Sequence, residues 1–115
     1  MTKLLLIGIV GLSFGLTSCA TKNLYTWSDY EKRSYAYIKE SSEENLEDLI
    51  KSYETMLIKQ TGKRETPPPG IFADYGYLLI KKGMIGEGII MLKKEMALYP
   101  ESSTFLSRII KKLEE

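Results

Sequence analysis

The stretch TGKRETPPPG, residues 61–70, limits the possible folds of this chain more than any other segment. Its glycines and three consecutive prolines cannot continue a helix, because proline lacks the backbone N–H and its ring clashes with the preceding turn. On both sides of the stretch, apolar residues recur at steps of three and four, which is the spacing of one face of an α-helix. The sequence therefore predicts two helical hairpins joined by a polar linker.

Two helices are predicted before the linker. Ser28 followed by Glu31, and Ser41 followed by Glu44, have the capping-box spacing that marks the start of a helix. The first helix is expected to reach about Lys39 and is rich in tyrosine, whereas the second has the more regular pattern. The apolar positions of the second helix are Leu46, Leu49, Ile50, Tyr53 and Leu57.

Three further helices are predicted after the linker. Pro69 is expected to begin the third helix, where the missing N–H has no cost, and Gly83 is expected to end it. Pro100 is expected to end the fourth helix, and the fifth is expected to start at about Ser102. The apolar faces are Ile71, Phe72, Tyr75, Leu78 and Leu79 in the third helix, Ile85, Ile89, Leu92, Met96 and Tyr99 in the fourth, and Phe105, Leu106, Ile109, Ile110 and Leu113 in the fifth.

Residues 70–100 follow the spacing of a tetratricopeptide repeat, in which two antiparallel helices cross. Small residues stand at Gly76 and Gly88, and the pattern closes at Pro100. Glycine in a helix costs about 1 kcal/mol relative to alanine, so close packing at the crossing is expected to offset that cost. Gly86 has no such role. The predicted fold class is all-α, with about five short helices in two antiparallel hairpins plus a capping helix, in a tetratricopeptide-like arrangement.

The first eighteen residues differ from the rest of the chain. Lys3 precedes a largely apolar run from Leu4 to Leu16, and Cys19 follows as the only cysteine. This run is shorter than the roughly 20 residues that span a bilayer, and it is typical of a cleaved signal peptide. We therefore predict a signal peptide over residues 1–18, a tether over 19–23 and a folded domain over 24–115.

The segment LTSC, residues 16–19, resembles the lipobox of bacterial lipoproteins. The resemblance implies that Cys19 receives a diacylglycerol and holds the mature chain to the membrane, since two acyl chains suffice for stable anchoring. Ala20 differs from the aspartate that retains enteric lipoproteins in the inner membrane, so the implied location is the outer membrane, at its periplasmic face. The other interpretations are an ordinary secretory signal with an incidental cysteine, or a buried thiol.

Composition excludes several kinds of chemistry. The chain has 16 Lys and Arg residues, 15 Asp and Glu residues and no histidine, so nothing suggests the basic face of a nucleic-acid-binding protein. Without an imidazole, and with its only thiol acylated, the chain has no His- or Cys-based catalytic group. The acidic residues at 43, 44, 47 and 48 suit the start of a helix better than a metal site. We expect no enzyme activity, no metal and no cofactor.

Eight tyrosines and one tryptophan give the chain the side chains of a binding protein. Trp27, Tyr30 and Tyr75 are expected to pack between the hairpins. The first helix of each hairpin lines the concave surface of a helical-repeat protein, so Tyr35 and Tyr77 are the candidate partner-binding residues.

Four segments, LYTWSDYE, ENLEDLIKSYE, PPPGIFADYGYLLIKKG and MALYPESSTFLSRIIKKL, resemble a family of small bacterial lipoproteins known only as a domain of unknown function. Members have an L-Y-x-W start, a central P-P-G and a late Y-P-E-S, and many have glycine where this chain has Ser28. The resemblance covers Leu24 to about Leu113. It implies association with other envelope lipoproteins, since members are often encoded beside a curli-secretion-type pore lipoprotein.

The expected function is therefore that of an outer-membrane-anchored adaptor or assembly factor for an envelope lipoprotein complex of the curli-secretion kind. Its expected partners are the membrane, through lipidated Cys19, and other lipoproteins, with no nucleic acid. The alternative is a periplasmic lipoprotein that binds peptidoglycan or a small ligand.

Overall fold

The computed structural model describes residues 21–115, which form five α-helices and one short 3-10 turn. The predicted signal peptide and the predicted lipidation site at Cys19 lie outside the described residues. Helix α1 is Tyr30–Lys39, α2 is Glu43–Ile58, α3 is Ile71–Lys81, α4 is Ile85–Leu98 and α5 is Ser103–Glu114, with the 3-10 turn at Pro100–Ser102.

Consecutive helices pack against each other. Helix α1 packs on α2, α3 packs on α4, and α5 packs on α4. No strand occurs between residues 21 and 115, so the all-α class and the five helices in hairpins are confirmed. The tetratricopeptide likeness stays a prediction.

The first two helices start later than predicted. Ser28 does not cap α1, because its φ of +49° lies in the left-handed region that favours glycine, and the residue before the helix is Asp29. Ser42 rather than Ser41 caps α2, and its hydroxyl accepts a hydrogen bond of 3.2 Å from the backbone N–H of Asn45. Ser42 has the extended backbone that an N-terminal cap requires, so the predicted register was wrong by one residue.

The third helix also starts later than predicted. Pro69 lies in the turn before α3, and Gly70 follows it with a φ of +93°. A left-handed residue cannot belong to a right-handed helix, so α3 begins at Ile71 and the predicted start at Pro69 is wrong by two residues.

The end of α3 agrees with the prediction. Gly83 has a φ of +86°, and its N–H donates a hydrogen bond of 3.0 Å to the carbonyl oxygen of Ile80. The N–H of Met84 donates one of 2.9 Å to the carbonyl oxygen of Leu79. These two bonds form a Schellman motif, which satisfies carbonyl groups that the helix end leaves free. Pro100 follows the end of α4, also as predicted.

The apolar core consists of two clusters. Met56 is fully buried in the larger cluster, although the sequence pattern did not single it out. All of the other members come from the predicted apolar faces. The larger cluster, between α2 and α3, contains Leu49, Tyr53, Met56, Ile71, Tyr75, Leu78 and Leu79, and the smaller, between α4 and α5, contains Leu92, Leu106 and Ile110.

Three residues that were expected in the interior are exposed. Ile85, the first residue of α4, is 44% exposed. Phe105 lies on a face of α5 that no later helix covers within the described chain. Trp27 precedes α1 and packs only along one side, against Tyr25 and Tyr30. Their assignment to the core was wrong, because apolar character alone does not show whether a neighbouring element exists to cover a side chain.

Three tyrosine rings pack in series between the hairpins. The ring centroids of Tyr30 and Tyr53 are 5.5 Å apart, and those of Tyr53 and Tyr75 are 5.9 Å apart in a stacked arrangement. The hydroxyl of Tyr75 donates a hydrogen bond of 3.1 Å to Glu54. The predicted packing of Tyr30 and Tyr75 is thereby confirmed, and the rings join α1, α2 and α3.

Helices α3 and α4 cross at two glycines. A Cβ atom on Gly76 would lie 2.8 Å from the carbonyl oxygen of Gly88, and a Cβ atom on Gly88 would lie 2.7 Å from that of Gly76. A Cβ on Gly88 would also approach the side chain of Ile80 to 2.5 Å, whereas one on Gly86 would meet nothing within 4 Å. The predicted close crossing is therefore confirmed, as is the absence of Gly86 from it.

The segment before α1 is fastened to the loop after α2. The side-chain amide of Gln60 donates a hydrogen bond of 2.8 Å to the carbonyl oxygen of Thr26 and accepts one of 3.0 Å from its N–H. The hydroxyl of Thr26 accepts from the N–H groups of Thr61 and Gly62, at 2.9 and 3.1 Å.

A backbone pairing continues this contact. The N–H groups of Lys63 and Arg64 donate hydrogen bonds of 2.8 and 3.0 Å to the carbonyl oxygens of Asn23 and Leu24. A Cβ atom on Gly62 would lie 2.6 Å from the carbonyl oxygen of Leu24, so the two segments approach as closely as glycine permits. We call the pairing of residues 23–26 with residues 60–64 the N-terminal clip.

Candidate partner-binding groove

Two neighbouring depressions cross one face of the helices. The first, of about 210 Å³, lies between α1, α2 and α3, and the second, of about 280 Å³, lies between α3, α4 and α5. Asp74 and Tyr77 of α3 line both, so the depressions form one continuous surface. We call this surface the Asp74 groove; α1 contributes Tyr30, Ser34, Tyr37 and Ile38, α3 contributes Ala73, Asp74 and Tyr77, and α5 contributes Phe105 and Ile109.

Each of three helices places one large exposed apolar side chain in the groove. These side chains are Ile38 on α1, Tyr77 on α3 and Phe105 on α5. Asp74 and Tyr77 are three residues apart, so they share one face of α3, while Tyr75 and Leu78 turn into the core. Exposed apolar residues that are brought together on one surface are typical of an interaction site.

Asp74 is the only charged side chain among the described residues that line the groove. Between residues 21 and 115, no lysine or arginine forms an ion pair with it. Asp74 keeps access to solvent, but the apolar side chains around it remove part of its hydration, which raises the pKa of its carboxyl above the ordinary value. An incompletely hydrated carboxylate without a partner favours the approach of a cation.

The carboxylate of Asp74 also acts on a neighbouring tyrosine. Burial raises the pKa of the Tyr53 hydroxyl, and the negative charge of Asp74 raises it further. Tyr53 therefore stays neutral under physiological conditions, and the floor of the groove carries no second charge.

The structure does not bring the two candidate tyrosines together. Tyr77 is 59% exposed in the groove, and the ammonium of Lys81 lies 5.7 Å from the centre of its ring. Tyr35 is 67% exposed and lines a separate depression on α1, beside Glu31 and Lys32. Their contact with a partner stays a prediction, and only Tyr77 belongs to the Asp74 groove.

Sequence reasoning missed three groove residues. Asp74 is the only charged residue in the helical stretch IFADYGYLLI, and that isolated charge is a signal that could have identified it. Helical spacing placed Ile38 on the same side of the first helix as Tyr30 and Tyr37, but it indicated no groove. Phe105 was assigned to the interior. Their common surface depends on the angles between helices, which residue spacing does not encode.

The linker is held against α4 by a buried acid. Glu95 is 3% exposed, and its Oε1 atom accepts a hydrogen bond of 2.7 Å from the N–H of Gly70. The hydroxyl of Tyr99 donates one of 2.6 Å to the carbonyl oxygen of Pro67. Both bonds fix the turn that starts α3, and through α3 they position Asp74 and Tyr77.

The acidic start of α2 forms surface ion pairs. Glu43 pairs with Lys82 at 3.3 Å, and Asp48 pairs with Arg33 at 2.7 Å. Within the described residues, no group of three or more His, Cys, Asp or Glu side chains is placed to hold a metal ion. None of the helices in that part of the chain is long and apolar enough to cross a bilayer.

A family profile described as Domain of unknown function (DUF4810) matches residues 24–109. The chain belongs to the DUF4810 family. The resemblance to an uncharacterised family is thereby confirmed, and the match runs from the N-terminal clip into α5, so all of the Asp74 groove lies inside the DUF4810 domain. No curated protein and no solved structure matches the chain.

Proposed function

We propose that this DUF4810 protein is an outer-membrane lipoprotein, anchored through Cys19, that acts as a non-enzymatic adaptor or assembly factor for an envelope lipoprotein complex of the curli-secretion kind. The observation that carries the proposal is the Asp74 groove, in which three helices leave large apolar side chains exposed around one unpaired carboxylate. The LTSC segment supports the anchor, and the resemblance described above supports the kind of complex.

The groove suits one kind of partner, a protein segment with apolar side chains on both sides of a lysine or arginine. Ile38 and Phe105 offer apolar contacts on either side of Tyr77, and Asp74 offers the complementary charge. A cation that pairs with a partly desolvated carboxylate forms a stronger hydrogen bond than it would in open water. Charge complementarity therefore selects a basic segment over an acidic one.

The dimensions of the groove favour a protein segment over a small ligand. Neither depression alone, at about 210 and about 280 Å³, reaches the roughly 300–1,000 Å³ of pockets that enclose small molecules, and the continuous surface they form extends from α1 across α3 to α5. Peptidoglycan or a small ligand is the alternative occupant, and the test below distinguishes it.

The test uses a photo-crosslinking residue at position 77 in the full, tagged chain, expressed in cells with its own N-terminus. We expect crosslinking to one protein, at a peptide with Lys or Arg between apolar residues. Asp74→Lys is expected to abolish the crosslink, and exchanging the partner's basic residue for Asp is expected to restore it. Tyr35→Ala is the matched control for affinity purification, because it removes an exposed tyrosine outside the groove, whereas Tyr77→Ala is expected to release the partner.

Circular dichroism must show unchanged helicity in each variant. A partner that is retained by both Tyr77→Ala and Asp74→Lys would reject the groove as its binding site. Recovery of a cell-wall fragment or a small molecule, with no crosslinked protein, would support the alternative function.

A further inference from the structure

We propose that the end of the domain beside the N-terminal clip rests on the lipid surface as a membrane-docking face. The face consists of Leu24 and Trp27 together with the basic residues Lys22, Lys63 and Arg64. The inference rests on the lipid anchor of the proposed function but is independent of the Asp74 groove.

The apolar part of the face is exposed and held in place. Leu24 is 52% exposed and Trp27 is 46% exposed. The ring of Trp27 meets that of Tyr25 edge-on at 6.4 Å and that of Tyr30 at 5.8 Å, so one side is fixed while the other is open to solvent. Tryptophan and tyrosine are enriched where a bilayer meets water, because their rings are apolar and their N–H and O–H groups remain hydrated.

The N-terminal clip places basic residues next to this apolar part. Its backbone bonds join Lys63 and Arg64 to Asn23 and Leu24, and Lys22 precedes them directly. All three basic side chains are exposed, and none forms an ion pair within residues 21–115. Such a cluster is attracted to anionic headgroups.

The nearby acidic residues do not cancel this charge. Asp29 accepts a hydrogen bond of 2.9 Å from Arg33, which also pairs with Asp48 at 2.7 Å. Asp48 lies 3.7 Å from Lys51, so these two acids are matched by two basic residues. Glu65, which follows Arg64 in the sequence, is exposed and offsets one of the three positive charges. A depression of about 450 Å³, lined by Lys22, Trp27 and neighbouring residues, opens at this end and has room for a lipid headgroup.

The length of the tether determines which end of the domain can meet the bilayer. Leu24 lies five residues after Cys19, so even a fully extended chain reaches only about 17 Å from the anchor. A domain held so closely presents the surface around Leu24 to the lipid. The exposed apolar residues and the basic residues lie at this same end.

Trp27 is the only tryptophan of the chain, so its fluorescence reports on this face alone. The full chain, produced with its own signal peptide, is reconstituted into vesicles of phosphatidylethanolamine and phosphatidylglycerol. We expect Trp27 emission to shift to the blue, to be quenched by lipids brominated near the headgroup, and to become less accessible to acrylamide. Mass spectrometry of the same sample determines whether Cys19 carries a diacylglycerol.

Double variants test which residues contact the lipid. Trp27→Tyr combined with Tyr77→Trp moves the fluorophore to the groove, where we expect no quenching by brominated lipid. Lys63→Glu combined with Arg64→Glu is expected to weaken the quenching of Trp27, whereas the same reversal at Lys111 and Lys112 on α5 is expected to leave it unchanged.

The outcomes separate this inference from the proposed function. If Cys19 is acylated and the protein stays with the vesicles while Trp27 is not quenched, the membrane-docking face is overturned and the anchor remains. Equal quenching at positions 27 and 77 would also overturn it. A chain without lipid on Cys19 that leaves the vesicles overturns the anchor, and the docking face with it.

Discussion

In the proposed function, Asp74 has opposite effects on folding and on binding. Neighbouring apolar side chains raise the pKa of its carboxyl, which means that the folded chain tolerates the charged form less well than water does. A bound lysine or arginine would remove that disadvantage. The charged residue therefore reduces the stability of the free protein, and in the proposed complex it would supply specificity.

Replacing Asp74 with asparagine tests this view. The pKa of the Asp74 carboxyl in the folded chain lies above the ordinary value of 3.8. The free energy of unfolding therefore falls as the pH rises from 3.8 to the pKa of the folded chain, and it stays reduced at higher pH. Asparagine resembles the protonated acid. We expect Asp74→Asn to be more stable than wild type in urea at pH 7, with the difference disappearing below pH 3.8. Glu101→Gln, on an exposed residue, controls for the loss of one charge, and an equal gain from it would contradict this origin.

Predictions about single residues were correct where the structural reason lies in the conformation of the residue itself. Gly83 ends α3 because a left-handed residue is needed there, and glycine supplies it at no steric cost. Ser28 adopts a similar conformation without being glycine, so its sequence signal was misleading. Ser41 was predicted as the cap of α2 from its spacing to Glu44, whereas the adjacent Ser42 has the extended backbone that caps the helix.

At the scale of elements, the pairing of α3 with α4 depends on the absence of two side chains. Gly76 and Gly88 each face the other's carbonyl oxygen at a distance that leaves no space for a methyl group. The spacing of these glycines was visible in the sequence, and so was the helical period on both sides. Helix existence and one crossing could therefore be predicted, because both depend on local spacing.

Gly88→Leu should destabilise the domain by at least about 2 kcal/mol, because overpacking forces the helices apart. The midpoint of urea or thermal unfolding measures the change. Gly86→Ala is the matched control in the same helix, and it should leave stability unchanged or raise it by up to about 1 kcal/mol, since nothing lies within 4 Å of the added methyl. An unchanged midpoint for Gly88→Leu would contradict the crossing.

At the scale of the whole molecule, the N-terminal clip was not predictable from the sequence. Thr26 and Gln60 are 34 residues apart, and their hydrogen bonds join a side chain to backbone groups, which leaves no periodic pattern. The Asp74 groove likewise leaves no periodic pattern in the sequence. The exposure of Tyr77 follows from the helical period, but its alignment with Ile38 and Phe105 follows from how three helices pack.

Gln60→Ala removes both bonds to Thr26 and leaves two backbone groups without partners. We expect a loss of about 1–3 kcal/mol in the free energy of unfolding, measured in urea. Cleavage before α1 in limited proteolysis should become faster as well. Lys59→Ala, at the exposed neighbouring position, is the control. Equal stability of the two variants would show that the clip does not contribute to folding.

The clip also determines how the domain responds to a mechanical load. Tension applied to the chain at Lys22 passes from Asn23 and Leu24 directly to residues 63 and 64 and on to the start of α3. Residues 27–59, with α1 and α2, lie between the two paired segments, so the chain through them is not pulled taut while the clip holds. A pull between the N-terminal end and α3 would therefore strain the clip before it could unwind α1 or α2.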